Sequence, residues 1–302
     1  MRDNPKIFVI VVTYKGQRWY DKCFGSLRES TIPIQTIVVD NTPGDGDAEY
    51  IKTHFPEVHL IKTNENLGFG KANNLGMRYA LDNGCDYVFL LNQDAWIEQD
   101  TMSKLVRVAE QHPEYAIISP MHMRADMQHI CIMLNSEWNN YELLSDLYTN
   151  NLKDVYTITY VNAAAWLLPR KTLETIGGFC PLIFHYGEDD DYINRVRYHK
   201  MRIALVPQAQ VVHDCSSPVA EHDILRQQAA ATDLTTLLDI NRSTSLSSKR
   251  LYFVRKMLLS ILMGNLPQYR YYKGRYLLLS KNFKEIDNCQ RQHKIVQANW
   301  LK

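Results

Sequence analysis

No Cys-x-x-Cys pair occurs in this chain. Its six cysteines stand singly, at positions 23, 85, 131, 180, 215 and 289. That argues against a zinc knuckle and a disulfide scaffold, and suits a reducing compartment. No stretch reaches the roughly 18 uncharged apolar residues of a spanning helix. The apolar run at residues 7–12 is too short for a signal peptide and leads straight into a polar turn. Internal repeats and low-complexity tracts are also missing. What remains is 302 residues of ordinary apolar and charged content, the profile of a soluble globular protein. The length suits one large α/β domain, or a domain with an appendage.

Net charge is scarce too, at +1, but it is unevenly spread. Residues 242–302 carry 13 Lys and Arg against two acids, a net +11, and the rest of the chain is −10. A polar shift at residues 241–248 is the best boundary candidate. It would separate an acidic body, residues 1–241, from a basic helical extension, residues 242–302, and it reads equally as a polar loop inside one domain. In the extension, lysines and arginines interleave with tyrosines and leucines. A solvated helical face is the default for such a pattern. The mixture also describes an interfacial membrane surface, which ranks above nucleic acid; no nucleic acid is expected.

Short apolar runs bounded by turn residues predict buried strands at 7–12, 36–39, 58–62, 88–91 and 116–119. Looser alternation suggests strands at 127–134 and 155–162, and two more at 203–206 and 210–213. Helical spacing marks 19–30, 68–81, 98–112, 170–176, 192–199, 220–239 and 249–263. Residues 135–152 show no period and read as an irregular loop. Strands alternating with helices of crossover length predict a Rossmann-like α/β fold with a mostly parallel sheet.

Acidic side chains recur at or near the ends of these elements: Asp40, Asp94, and the run Glu188, Asp189, Asp190, Asp191. Strand ends of a parallel sheet lie along one rim, so carboxylates distant in sequence can converge there. Carboxylates that close repel one another unless a cation neutralises them or one takes up a proton. Asp94, beside the amides of Asn92 and Gln93, suits a hard divalent cation. His213, at another strand end, can add a nitrogen. Taken singly, Asp94 need only turn the chain, His213 need only be structural, and the 188–191 run need only complement a helix dipole.

Six motifs then follow one another in order: Ile10 to Tyr14; Val38, Val39, Asp40, Asn41; Asn66 to Gly76; Leu90 to Asp94; Gly177, Gly178, Phe179; and Gly187 to Asp191. Together they resemble the family 2 glycosyltransferases, and most of all the bacterial rhamnosyltransferase-like members. The resemblance covers roughly residues 6 to 215.

It implies a GT-A fold for residues 1–241, binding a nucleotide-sugar, with a divalent cation, Mg²⁺ or Mn²⁺, as cofactor. Thr13 and Tyr14 would line the nucleoside pocket, and Asp40, with Asn41, would hold base or ribose. Gly68, Phe69, Gly70 and Asn74 lie in the segment expected over the nucleotide. Asp94 and His213 would be the metal ligands. The base would be one of Asp189, Asp190 and Asp191, with Asp189 favoured by its position after Glu188, and Glu188 and Asp191 are further catalytic candidates. Asn92, counted with the donor-binding residues, stands where the family has the first carboxylate of its Asp-x-Asp motif. Three alanines, Ala163 to Ala165, stand where many relatives carry a glycine. The implied activity is inverting, metal-dependent transfer from a UDP- or dTDP-sugar to a cell-surface glycan or lipid-linked acceptor. Its implied place is the cytoplasm or the inner face of the cell membrane. Two alternatives stay open. A sugar nucleotidyltransferase is disfavoured because Thr13, Tyr14, Lys15 and Gly16 do not form a glycine-rich phosphate loop. A non-catalytic glycan-binding protein of the same fold is disfavoured by the intact acidic sites.

Overall fold

Residues 7–12 are apolar without a break because both faces of their strand are covered. A computed structural model describes residues 5–44, 46–131, 140–214 and 232–301. Its strands are β1 (Ile7–Thr13), β2 (Gln35–Asp40), β3 (His59–Lys62), β4 (Tyr87–Asn92), β5 (Ala95–Ile97), β6 (Tyr115–Met123), β7 (Tyr156–Ile158), β8 (Ala165–Pro169) and β9 (Arg202–His213). Its helices are α1 (Gln17–Arg28), α2 (Gly46–His54), α3 (Phe69–Asp82), α4 (Thr101–Gln111), α5 (Tyr141–Tyr148), α6 (Arg170–Ile176) and α7 (Glu188–Tyr198). Three more, α8 (Leu246–Leu262), α9 (Leu266–Lys281) and α10 (Phe283–His293), close the chain.

The two-residue period of a strand divides β1 between two cores. Phe8 and Ile10 join Ile37, Val39 and Leu90 under Ala72 and Met77 of α3. Ile7, Val9 and Val11 join Val38 and Phe89 under Phe24 of α1 and Leu105 of α4. Helix α3 comes unusually close to the sheet: a Cβ on Gly76 would lie 2.6 Å from Ile10 Cγ2, so no larger residue fits without a shift.

Strand order is β3-β2-β1-β4-β8-β6-β9-β5, with β7 added against β9. The first four strands are parallel, as is β6 with β9, in line with the expected Rossmann-like half. β8 enters antiparallel between β4 and β6, and β5 and β7 pair antiparallel with β9. This sheet is therefore mixed. The register aligns Thr13 with Asp40, and Val12 with Asn92, so the carboxyl ends of β1, β2 and β4 share one rim.

Several expectations need correction. Residues 203–213 form one strand, not two; β9 carries an irregularity opposite Pro120 and Met121 and continues. The irregular loop expected at 135–152 contains α5, capped by the Asn140 side chain, which accepts from Leu143 N. α2 was not foreseen, because turn residues crowd its start. The strand expected at 127–134 is a single bridge between Met123 and Ile130 within the described part of that range. Most of the helix expected at 220–239 lies outside the described residues; 232–238 are helical.

The closing helices are attached to the body. Phe253, Leu279 and Ile286 share a buried cluster with Cys180 and Ile183, from the loop before α7. Leu301 packs into the core that holds Trp166, and Gly178 N donates to Asn299 O at 2.8 Å.

Candidate active site

Above the shared rim lies a cleft of about 400 Å³, lined by Tyr14 and Trp19 on one side, Asn41 and Phe69 on another, and Asp94 and Tyr186 across from them. Its floor is built by the strand ends. Thr13 Oγ1 donates to Asp40 Oδ1 at 3.3 Å, and Thr42 N donates to the same oxygen at 3.1 Å. Asp40 Oδ2 is buried with no protein partner. Burial raises the pKa of this carboxyl, against the hydrogen bonds from Thr42 and Thr13. Asn41 Oδ1 accepts from Leu67 N at 2.8 Å and its Nδ2 donates to Asn66 Oδ1 at 2.8 Å, tying β2 to the segment before α3. Gln93 holds Tyr14 as a strand would: its Oε1 accepts from Tyr14 N at 2.8 Å and its Nε2 donates to Tyr14 O at 3.1 Å.

Gly68 sits at φ +79°, in the left-handed region, and a Cβ there would be 2.0 Å from Phe184 O. Only glycine lets the start of α3 lie against residues 184–186, which form the far wall.

Asp94 lies in the turn between β4 and β5. Because Ala95 pairs with His213 across β5 and β9, the two side chains meet: His213 Nε2 is 3.4 Å from Asp94 Oδ1. The Asn92 amide lies 3.5 Å from the same nitrogen, and Asn92 Oδ1 is buried without a protein partner. Burial opposes charge on His213, but Asp94 and then Cys131 together outweigh it, and the pKa rises to about 9. Two neighbouring ligands of one octahedral cation at about 2.1 Å stand about 3.0 Å apart, so an oxygen and a nitrogen at this separation fit a shared divalent ion.

The acidic run opens α7, and its members face different ways, as neighbours on a helix must. Asp189 Oδ2 accepts from the Tyr160 hydroxyl at 3.0 Å and its Oδ1 accepts from Asp190 N at 2.9 Å. Burial raises its pKa, opposed by Asp190 N–H, the Tyr160 hydroxyl and Ala163 N–H. Glu188 is buried with Oε2 unpartnered, and burial together with the Asp189 charge lifts its pKa to about 8. Asp190 is exposed, and its pKa is pushed up to about 6 by burial of part of the group and by Asp189. The alanine segment connects this acid to the cation candidates: Ala163 N–H reaches Asp189, while Asn92 N donates to Ala164 O at 2.9 Å.

The model of the family described as "Glycosyl transferase family 2" matches residues 8–177, more than half of the chain. The chain belongs to glycosyl transferase family 2. Among curated relatives, the dTDP-rhamnosyl transferase RfbF of Shigella flexneri is 21% identical over 70% of this chain and 69% of its own. The N-acetylglucosaminyl-diphospho-decaprenol L-rhamnosyltransferase of Mycobacterium tuberculosis is 24% identical over 68% of this chain and 75% of its own. The rhamnosyltransferase-like resemblance is thereby borne out, and the protein is a glycosyltransferase. A solved mannosyltransferase from Pyrobaculum calidifontis, in complex with GDP-Man and Mn²⁺, superposes with TM-score 0.59 at 18% identity over 97% of this chain and 86% of that one. GalNAc-T7, solved with UDP, GalNAc and Mn²⁺, gives 0.58 at 12% identity over the whole of this chain and 56% of that one. These likenesses carry the fold.

In this family 2 glycosyltransferase, Tyr14, Asn41, Gly68, Phe69, Asn92 and Asp94 line the cleft, Thr13, Asp40, Glu188, Asp189 and His213 lie behind its lining, and Asp191, Asn74 and Gly70 are engaged elsewhere. Asp191 turns inward to Arg195, with Nε 3.0 Å from Oδ2 and both side chains almost fully buried. It cannot serve the cleft from there. Cys180, Asp191 and His293 form a buried cluster beneath the closing helices. Asn74 is structural: its amide accepts from Phe179 N at 2.7 Å and donates to Phe179 O at 2.9 Å. Gly70 is tight against Phe179, where a Cβ would approach within 2.9 Å.

Sequence reasoning missed His122 and Tyr160, and it set Gln93 beside Asp94 without its hold on the Tyr14 backbone. His122 lies fully buried on β6, its ring perpendicular to that of His213 with centroids 6.4 Å apart. Burial, then the His213 charge, hold it neutral, with a pKa near 3. Only the β6–β9 pairing puts it there, and nothing local marks it. Tyr160 had a weak local signal, as a polar-capable aromatic just before the alanine segment.

Proposed function

We propose that residues 1–241 carry out inverting transfer of a sugar from a UDP- or dTDP-sugar to a glycan or lipid-linked acceptor, with residues 242–302 as their helical extension. The observation that carries this reading is the tie of two functional groups to one short segment. Ala163 N–H bonds to Asp189, which Tyr160 also holds, while Ala164 O accepts from the N–H of Asn92, two residues before Asp94, the partner of His213. Asp94, His213 and the Asn92 amide would hold Mg²⁺ or Mn²⁺. Such an ion, when bound, acts as a Lewis acid on the donor diphosphate.

The chain's own groups do the rest. Tyr14, fixed by Gln93, and Phe69 form the walls for the nucleoside, and the free oxygen of Asp40 awaits a donor from the base or ribose. Asp189 removes the proton of the acceptor hydroxyl as its oxygen attacks the anomeric carbon. The bond from that carbon to the diphosphate oxygen breaks, and its electron pair leaves with the diphosphate. The proton stays on Asp189, and the anomeric configuration inverts. A carboxylate whose pKa is raised by burial is a better base than an exposed one at neutral pH. Tyr160 aims it. Relatives named for rhamnosyl transfer, one to a decaprenol-linked acceptor, favour a deoxyhexose donor and an acceptor made on the cytoplasmic side of a membrane.

A thermal-shift panel of nucleotide-sugars, with and without Mn²⁺, tests the reading, since ligands that bind only the native state raise apparent stability. Stabilisation by UDP- or dTDP-sugars that depends on Mn²⁺ is expected. No response to any nucleotide-sugar contradicts it.

A further inference from the structure

We propose that the corner between α8 and α9 is a wedge that seats the protein in the surface of an anionic lipid bilayer. The inference stands on the surface of these helices and does not depend on the reaction. Residues 257–269 carry no charge, while Arg255 and Lys256 precede them and Arg270 follows. Within that stretch Leu258, Leu259, Ile261, Leu262, Met263 and Leu266 are all exposed, Leu262 at 83% and Met263 at 74%.

Their distribution excludes an ordinary packing face. At 100° per residue, positions 258, 259, 261, 262 and 263 span an arc of roughly 200°, about twice the stripe that one neighbour covers. A second protein surface meets a helix from one side, whereas acyl chains surround it. The corner's polar side chains bond to one another: the buried Ser260 Oγ donates to Gln268 Oε1 at 3.2 Å and the exposed Asn265 Oδ1 accepts from Gln268 N at 3.1 Å. The turn's backbone is closed as well. Met263 N, Gly264 N and Asn265 N donate to Leu259 O, Ile261 O and Ser260 O at 2.9, 3.0 and 2.8 Å. Satisfied backbone is what entry into an apolar medium requires.

Behind the tip stands a collar of tyrosines and cations. Lys256 Nζ lies 5.6 Å from the Tyr252 ring centre and Lys273 Nζ 5.8 Å from that of Tyr269. Aromatic rings and basic side chains at this level match the headgroup zone of an anionic leaflet. An amphipathic element of this kind sinks about 5–10 Å. Among the described residues no helix is long and apolar enough to cross the membrane, so the wedge rests in one leaflet.

The test is sedimentation of the full chain with two vesicle types: phosphatidylcholine alone, and phosphatidylcholine with phosphatidylglycerol. Wild type should sediment with the anionic vesicles, and added salt should weaken binding. Leu262→Glu with Met263→Glu should lower partitioning at least about tenfold while leaving thermal stability unchanged, because both side chains are solvent-exposed in the free protein. Each of Arg255→Gln and Arg270→Gln should cost about fivefold on anionic vesicles. Absence of wild-type binding to anionic vesicles overturns the inference. So does a wild-type dimer in vesicle-free buffer that the Glu variant converts to monomer, since the corner would then be a self-interface. Vesicle binding needs neither donor nor acceptor, so failure of the transfer reading would leave this result readable, and the reverse also holds.

Discussion

Tyr160 donates its hydroxyl hydrogen to Asp189 Oδ2 at 3.0 Å, across 29 residues of chain. That bond stabilises the ionised carboxylate, while burial works against it. Removing the hydroxyl in Tyr160→Phe should therefore raise the Asp189 pKa further. A hydrogen bond to a charged group is worth about 1.5–3 kcal/mol, equivalent to about one to two pH units. The acid limb of the kcat/KM profile should move to higher pH by that order, with donor KM little changed. An unmoved limb would mean that the bond is merely structural.

Asp94→Ala removes the proposed cation ligand from a partly exposed turn, with a side chain 24% accessible. Its fold should stay intact, with turnover falling about a thousandfold or more. In wild type, chelation should abolish turnover and Mn²⁺ should restore it. In the variant Mn²⁺ should neither restore activity nor add to nucleotide-induced stabilisation. Full activity after chelation, or in the variant, would contradict the metal assignment.

Glu188 should make stability depend on pH. Burial and the Asp189 charge raise its pKa from 4.5 to about 8 in the folded protein. Between those values the native state holds a proton that the unfolded chain has lost. The stabilisation is therefore full below about pH 4.5 and lost as pH rises through about 8. Glu188→Gln should gain on wild type in Tm steadily across that window. Parallel Tm curves for the two proteins would contradict the burial argument.

Much of this site was legible in the sequence, and the reasons are local. β1, β2 and β4 announce themselves as apolar runs, and Thr13, Asp40 and Asn92 end them, so the rim could be drawn before the fold was known. The Asp94–His213 pair could be named as a candidate because carboxylates converging on one rim call for a neutralising charge. What stayed hidden depends on contacts between distant residues. Asn74 looks like a nucleotide contact until the loop at Phe179 is seen lying on it. Asp191 and Asp189 are alike in sequence, and only the position of Arg195 and the closing helices separates them. β8 enters the sheet against the direction of its neighbours, which no apolar period can reveal.

Asp191 and Arg195 should behave as a buried structural pair. Asp191→Asn leaves the guanidinium uncompensated and should cost about 3–5 kcal/mol in urea unfolding. Asp191→Leu combined with Arg195→Met should recover most of that loss, since replacing both charges removes the unpaired one. Nucleotide-sugar affinity of the folded variants should stay near wild type. A variant as stable as wild type, but without donor turnover, would return Asp191 to the active site.

Asp189→Asn tests the division of labour between the proposed base and the cation candidates most directly. Calorimetric titration with nucleotide and Mn²⁺ should give a dissociation constant within about threefold of wild type, because the cation candidates are untouched. Transfer to acceptor should fall about a thousandfold or more. Transfer at the wild-type rate by this variant would contradict the account, because no other ionised acid described at the cleft is held by Tyr160.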